Sequence, residues 1–213
     1  ADDVDIAWEK SLQFEADLNA QYLKNTYPQF NVDKVYMDAF QQVVTPGGQR
    51  YPEARSTIVR SVQEGVLIFN YIGHGGEVGL AQERVLELED VVNWTNSDKL
   101  AVFVTATCEF TRVDDPDRIS AGEYLILNKK GGAIASFSTI RAVGVGTAYS
   151  LNEAFYREAF ARNGSLSFGE IIRNTKNRVP SGGNANFGLY GDPGLKFAWP
   201  KRRIITTSIQ VDG

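Results

Sequence analysis

Three stretches of the chain are apolar at almost every position: Val66-Leu67-Ile68-Phe69-Asn70-Tyr71-Ile72, Leu100-Ala101-Val102-Phe103-Val104-Thr105-Ala106 and Gly132-Ala133-Ile134-Ala135-Ser136-Phe137-Ser138. Each has the length of a strand, and a strand apolar at consecutive positions is one covered on both faces, as in a parallel sheet between helices. Helical spacing surrounds them. Ile6, Leu12, Phe14, Leu18 and Tyr22 predict a first helix over 6–23, closed by Tyr27-Pro28. Further helices are predicted over 53–63, ended by Gly65, and over about 119–130, 147–162 and 167–177. Val32 to Phe40 predicts one more strand, and Thr45-Pro46-Gly47-Gly48 a turn. Strands alternating with helices predict an α/β layer fold with a mainly parallel sheet. The pattern changes after Trp199-Pro200, where Ile204 to Val211 reads as an edge strand or the start of a following β domain. The expected division is therefore a main domain over 1–200 and a separate element over 201–213.

Composition narrows the classes. The 213 residues are 43% hydrophobic and 23% charged, which suits a globular domain rather than a disordered chain. A formal net charge of -4 gives no basic footprint, so nucleic acid is not an expected partner. The apolar runs are too short to span a bilayer. The Ala1-Asp2-Asp3 start lacks the basic and apolar parts of a signal peptide, so a removed signal or an internal fragment is expected. Gly144-Val145-Gly146 lacks the third glycine and the preceding strand of a dinucleotide loop.

One cysteine and one histidine occur in the whole sequence. That count excludes an internal disulfide and a four-ligand Cys/His zinc site. It also leaves a single membership for any Cys/His catalytic pair. In open α/β sheets, sites gather beyond the carboxyl ends of strands. The 66–72 strand runs into Gly73-His74-Gly75-Gly76, and the 100–106 strand into Thr107-Cys108-Glu109-Phe110. One helical crossover separates them, so neighbouring parallel strands would present both tips together. An imidazole beside a thiol raises its thiolate fraction and can later protonate a leaving amine. The backbone N–H groups of Gly75 and Cys108 could form an oxyanion hole. Taken singly, a core thiol and a loop histidine are the commoner outcomes for such residues.

Several motifs then resemble a known family. They are Asn70-Tyr71-Ile72-Gly73-His74-Gly75-Gly76-Glu77, Ala106-Thr107-Cys108-Glu109-Phe110 with Asp114-Asp115-Pro116, Ser120-Ala121-Gly122-Glu123, Gly131-Gly132-Ala133-Ile134 and Gly191-Asp192-Pro193. Together, over about 33–200, they resemble the gingipain family of cysteine peptidases, and within it the PorU-type sortases of the type IX secretion system of Bacteroidota. The resemblance implies a caspase-like three-layer α/β/α fold, His74 as general base and acid, Cys108 as nucleophile, and Gly75 and Cys108 as oxyanion donors. It implies cleavage of C-terminal sorting domains from secreted cargo, transfer of that cargo to a cell-surface lipopolysaccharide, an extracellular location at the outer membrane, and other secretion components as partners. It also implies that an N-terminal part of the catalytic domain lies outside this chain. In the family an acidic residue upstream of the histidine orients the imidazole, and Asp38 is the positional candidate. Glu109, Thr139 and Arg141 are candidate substrate contacts. No metal or cofactor is required, although Glu109 with Asp114-Asp115 could bind calcium. A purely hydrolytic secreted protease and a non-catalytic α/β interaction module are the alternatives.

Overall fold

The computed structural model describes residues 2–4 and 7–200. A 3-10 turn, Ala7–Glu9, leads into α1 (Lys10–Thr26), whose buried Leu12, Asn19, Ala20 and Leu23 recur at helical spacing. A hairpin of β1 (Val43–Thr45) and β2 (Gly48–Arg50) follows, then α2 (Pro52–Glu64), with proline in its first turn and Ala54, Ile58 and Val62 on its buried face. β3 (Ile68–Ile72) precedes three short strands, β4 (Gly75–Gly76), β5 (Gly79–Leu80) and β6 (Leu86–Glu87), and the helix α3 (Leu88–Asn93). Next come β7 (Ala101–Ala106), α4 (Ala121–Leu127), β8 (Ala133–Thr139), α5 (Val145–Phe160), α6 (Phe168–Arg178) and β9 (Phe187–Gly191). Ser120 with Glu123 and Ser167 with Glu170 form reciprocal capping boxes that start α4 and α6.

The central sheet has the order β3-β7-β8-β9, with β3, β7 and β8 parallel and β9 antiparallel at the edge. Alternate residues of β7 enter two different cores. Val102, Val104 and Ala106 pack with Leu12 of α1, Leu151 and Phe155 of α5 and Ile171 of α6. Ala101 and Phe103 pack with Ile58 and Val62 of α2, Val91 of α3, Trp94 and Leu125 of α4. Helices thus cover both faces, giving the three-layer, caspase-like α/β/α arrangement.

Three details differ from the sequence pattern. β3 is an edge strand, so its first three residues are only half-buried despite their apolar run. Val32–Phe40 forms no strand; only Met37 is buried there, in a 3-10 turn Met37–Ala39, and the side chains of Lys34 and Tyr36 turn to Asp17 on α1 instead of to a sheet. β9 carries no strand signal in its sequence, because Phe187-Gly188-Leu189-Tyr190-Gly191 holds two glycines. The segment 204–211 lies outside the described residues. No helix among the described residues is long and apolar enough to cross a membrane.

Candidate active site

Sheet register puts the two singletons together. Ile72 of β3 pairs with Ala106 of β7, and His74 and Cys108 each lie two residues beyond that pair. Adjacent strands lie about 4.8 Å apart, so both residues leave the sheet at neighbouring points of one edge. The Gly73 N–H still donates to the Ala106 carbonyl at 3.4 Å, holding the strand ends side by side. Gly73 has φ +156°, and a Cβ there would lie 2.5 Å from Asp2 Cβ, so a side chain would push the histidine loop off its support.

The backbone of His74 is fixed on both sides. Its N–H donates to the buried Asp2 carboxylate, and its carbonyl accepts from Tyr71 Oη at 2.7 Å and from Ala81 N–H at 2.9 Å. Its ring is oriented by Glu9, whose Oε1 lies 2.9 Å from Nε2. A carboxylate there selects the tautomer with the proton on Nε2 and leaves the Nδ1 lone pair for proton transfer. The Glu9 side chain is 7% exposed and the imidazole 44%, so the ion-pairing partner is sheltered while the ring faces solvent. Trp8 stands edge-on to the ring at a centroid distance of 5.9 Å. Burial pushes the Asp2 carboxyl up to about 6, against the opposing effect of the His74 N–H and the His74 charge. Burial and the neighbouring Asp2 carboxylate hold the Tyr71 phenol well above its ordinary value.

Cys108 lies two residues beyond a strand whose six residues are all buried, and is itself half-buried. The chain reverses at once, because Glu109 adopts a left-handed φ of +49°, uncommon for a non-glycine residue. Thr139 clamps this turn from below: its hydroxyl donates to the Thr107 carbonyl at 2.8 Å and its carbonyl accepts from Thr111 N–H at 2.9 Å. The thiol makes a weak contact with the Val143 carbonyl at 3.9 Å, just before α5. No direct hydrogen bond joins the thiol to the imidazole, a spacing common before substrate enters between such groups. Beside them, the Ala81 N–H donates to the His74 carbonyl at the open end of the β4–β5 hairpin, so Gly75 opposite Leu80 is a non-hydrogen-bonded pair, with its N–H pointing away from β5. A Cβ on Gly75 would lie 2.5 Å from Thr107 Oγ1, which places this amide against the residue preceding the thiol.

The remaining candidates are distributed differently from expectation. Asp38 accepts from Gln13 and does not reach His74; Glu9 is the carboxylate brought there. Thr139 is fully buried, so it supports the Cys108 turn and is closed to substrate. Arg141 is half-buried and forks onto Asp114, with both terminal nitrogens on that carboxylate. Asp115 is engaged by Arg118 and by the Asp117 N–H. Glu109 lies at the mouth of the turn, and Glu77 binds Arg112 and Arg118, tying the histidine hairpin to the cysteine loop. The described acidic group with cation-ligand spacing is another one, Asp2, Asp3 and Glu83, whose carboxylate oxygens lie within 4.8 Å of one another. Sequence pattern does not single out Glu9, because 65 residues separate it from His74 and it reads locally as the solvated start of a helix. Its burial is the signal, since a carboxylate is almost never enclosed without a partner.

The sequence profile of Peptidase family C25 matches residues 1–198. The chain belongs to peptidase family C25. Its fold is similar to that of the Arg-specific cysteine proteinase gingipain R, at 17% identity over 87% of this chain and 42% of that one, with a TM-score of 0.69. It is similarly close to a complex of Porphyromonas gingivalis RgpB pro- and mature domains, at 18% identity over 85% and 42% of the respective chains and a TM-score of 0.67. A third structure, of a protease, aligns at 17% identity over 71% and 41%, with a TM-score of 0.58. This C25 chain therefore spans about two fifths of each of these solved chains. None of the curated proteins matches it.

Proposed function

We propose that the protein is a cysteine endopeptidase in which Cys108 is the nucleophile, His74 the general base and acid, and Glu9 the residue that orients the imidazole. The observation that carries this reading is the Glu9–His74 contact at the strand tip paired in register with the Cys108 strand. His74 Nδ1 takes the thiol proton as Sγ attacks the scissile carbonyl. The developing oxyanion is met by the N–H groups of Gly75 and Cys108, donors of a kind worth roughly 3 kcal/mol each. The C–N bond breaks as Nδ1 returns the proton to the leaving amine, leaving a thioester on Cys108.

Either water or an amine then resolves that thioester. The finer reading is a surface sortase that removes C-terminal sorting domains and passes the new carboxyl end to a lipopolysaccharide amine at the outer membrane, alongside other secretion components. The motif order around His74 and Cys108 supports it. Hydrolysis alone is the second reading. Incubating the full-length parent with a sorting-domain substrate and weighing the products separates them. A product heavier than the free acid supports transfer, the acid alone supports hydrolysis, and undiminished processing by Cys108→Ala removes the nucleophile assignment.

A further inference from the structure

Trp8 is the large apolar residue next to the imidazole, and the proton-transfer scheme does not use it. It stays 43% exposed while its ring stands at 79° to the His74 ring, 5.9 Å between centroids. Scattered exposed apolar side chains need no explanation. This one is held in place from two sides. The adjoining Glu9 is buried against His74, and the Trp8 carbonyl accepts from Ser11 Oγ at 2.6 Å, which in turn lies 2.9 Å from the Tyr149 hydroxyl on α5. The backbone that carries it is anchored, and an indole, with few side-chain torsions, offers substrate an apolar face with little conformational freedom to lose on contact.

The chemistry of His74 says which part of a substrate meets that face. Because Glu9 occupies Nε2, the proton for the leaving nitrogen comes from Nδ1, and that nitrogen must approach to about 3 Å. An extended chain advances about 3.3 Å per residue. The first two residues on the leaving side therefore pass within reach of the imidazole, and Trp8 is the exposed aromatic neighbour of that ring. We propose that Trp8 is a specificity-determining residue that takes an apolar or aromatic side chain of the substrate's leaving segment, immediately C-terminal to the scissile bond. This rests on the peptidase reading above and adds a selection of the departing peptide to it.

The test uses the full-length protein and internally quenched peptides with one acyl half, chosen from the fastest-cleaved member of a library, and Gly, Asp, Leu or Phe at the first two leaving-side positions. The wild type is expected to favour Leu or Phe over Gly by about tenfold or more in kcat/KM, the scale of discrimination that an apolar contact supplies. Trp8→Ala should bring that ratio towards one, and Trp8→Phe should keep most of it. Labelling of Cys108 by a peptide chloromethyl ketone, which has no leaving segment, reads in the wild type whether thiol and imidazole work together independently of that segment. A wild type that labels and cleaves without leaving-side preference, or a Trp8→Ala that slows every peptide alike, overturns the role of Trp8 alone. A wild type whose Cys108 neither labels nor supports cleavage of any peptide overturns the peptidase reading and this inference with it.

Discussion

Replacing Glu9 by Gln removes one charge at the His74 contact, where the amide oxygen can still accept from Nε2 at the position the carboxylate holds, 2.9 Å away. During thiol attack the imidazole becomes a cation, and the carboxylate then faces a unit positive charge. At that distance and an effective dielectric constant of about 20, the pair is worth about 6 kcal/mol. Water reaches the 44%-exposed imidazole and screens it, so about 3–4 kcal/mol is the fitting scale for a pair sheltered on the Glu9 side only. That energy is present only once the imidazolium forms, so it belongs to the barrier: kcat should fall by on the order of 10²–10³-fold, with KM little changed. Steady-state cleavage of a quenched peptide measures it, and circular dichroism should show an unaltered fold. Asp38→Asn, which alters a carboxylate bonded to Gln13, serves as the control and should leave the rate near that of the wild type. A Glu9→Gln enzyme within threefold of the wild type would refute the reasoning.

Three further changes probe the support of the site. Gly75→Ala puts a methyl group 2.5 Å from Thr107 Oγ1, so the amide must shift; a fall in kcat on the order of 10²–10³-fold is expected from the loss of one aligned oxyanion donor, measured with the same peptide. Thr139→Val leaves the Thr107 carbonyl without its hydroxyl partner, and thermal or urea unfolding should show a loss of about 1–3 kcal/mol, together with slower labelling of Cys108. Asp2 has a folded-state carboxyl raised from 3.8 to about 6 by burial, so the folded state binds the extra proton between those values. Its contribution is fully present below pH 4 and lost as pH rises through 6; relative to Asp2→Asn, the wild type should lose about 3 kcal/mol of stability across that window. Unfolding curves at pH 4 and pH 7 read the difference, and parallel pH profiles for the two proteins would count against it.

Much of the sheet was legible because its central strands are enclosed on both faces. The runs ending at Ile72, Ala106 and Ser138 announce themselves by unbroken apolarity, and the six buried residues of β7 show why. Edges were less legible. β3 has the sequence of a central strand yet is half-buried, since burial by a neighbour is a property of the sheet order and not of the strand. Val32–Phe40 carries β-branched and aromatic residues, but Lys34 and Tyr36 find a better partner in Asp17 than a ladder would give them. At the site, His74, Gly75 and Cys108 could be found from strand ends alone, because register is inherited along parallel neighbours. Glu9 could not: its contact with His74 comes from the placement of the turn before α1, a tertiary fact with no local pattern. Thr139 and Arg141 share a strand end, yet one faces the interior and the other water, a distinction that identity and position along the chain leave open.

Iodoacetamide labelling of the full-length protein at pH 6, read by mass spectrometry of the Cys108 peptide, tests the union of thiol and imidazole most directly. The account predicts rapid modification of Cys108 in the wild type and a loss of at least tenfold in rate in His74→Ala, because a thiol with an ordinary value near 8.5 holds little thiolate at that pH without its partner. Equal rates in the two proteins, whether fast or slow, would contradict it.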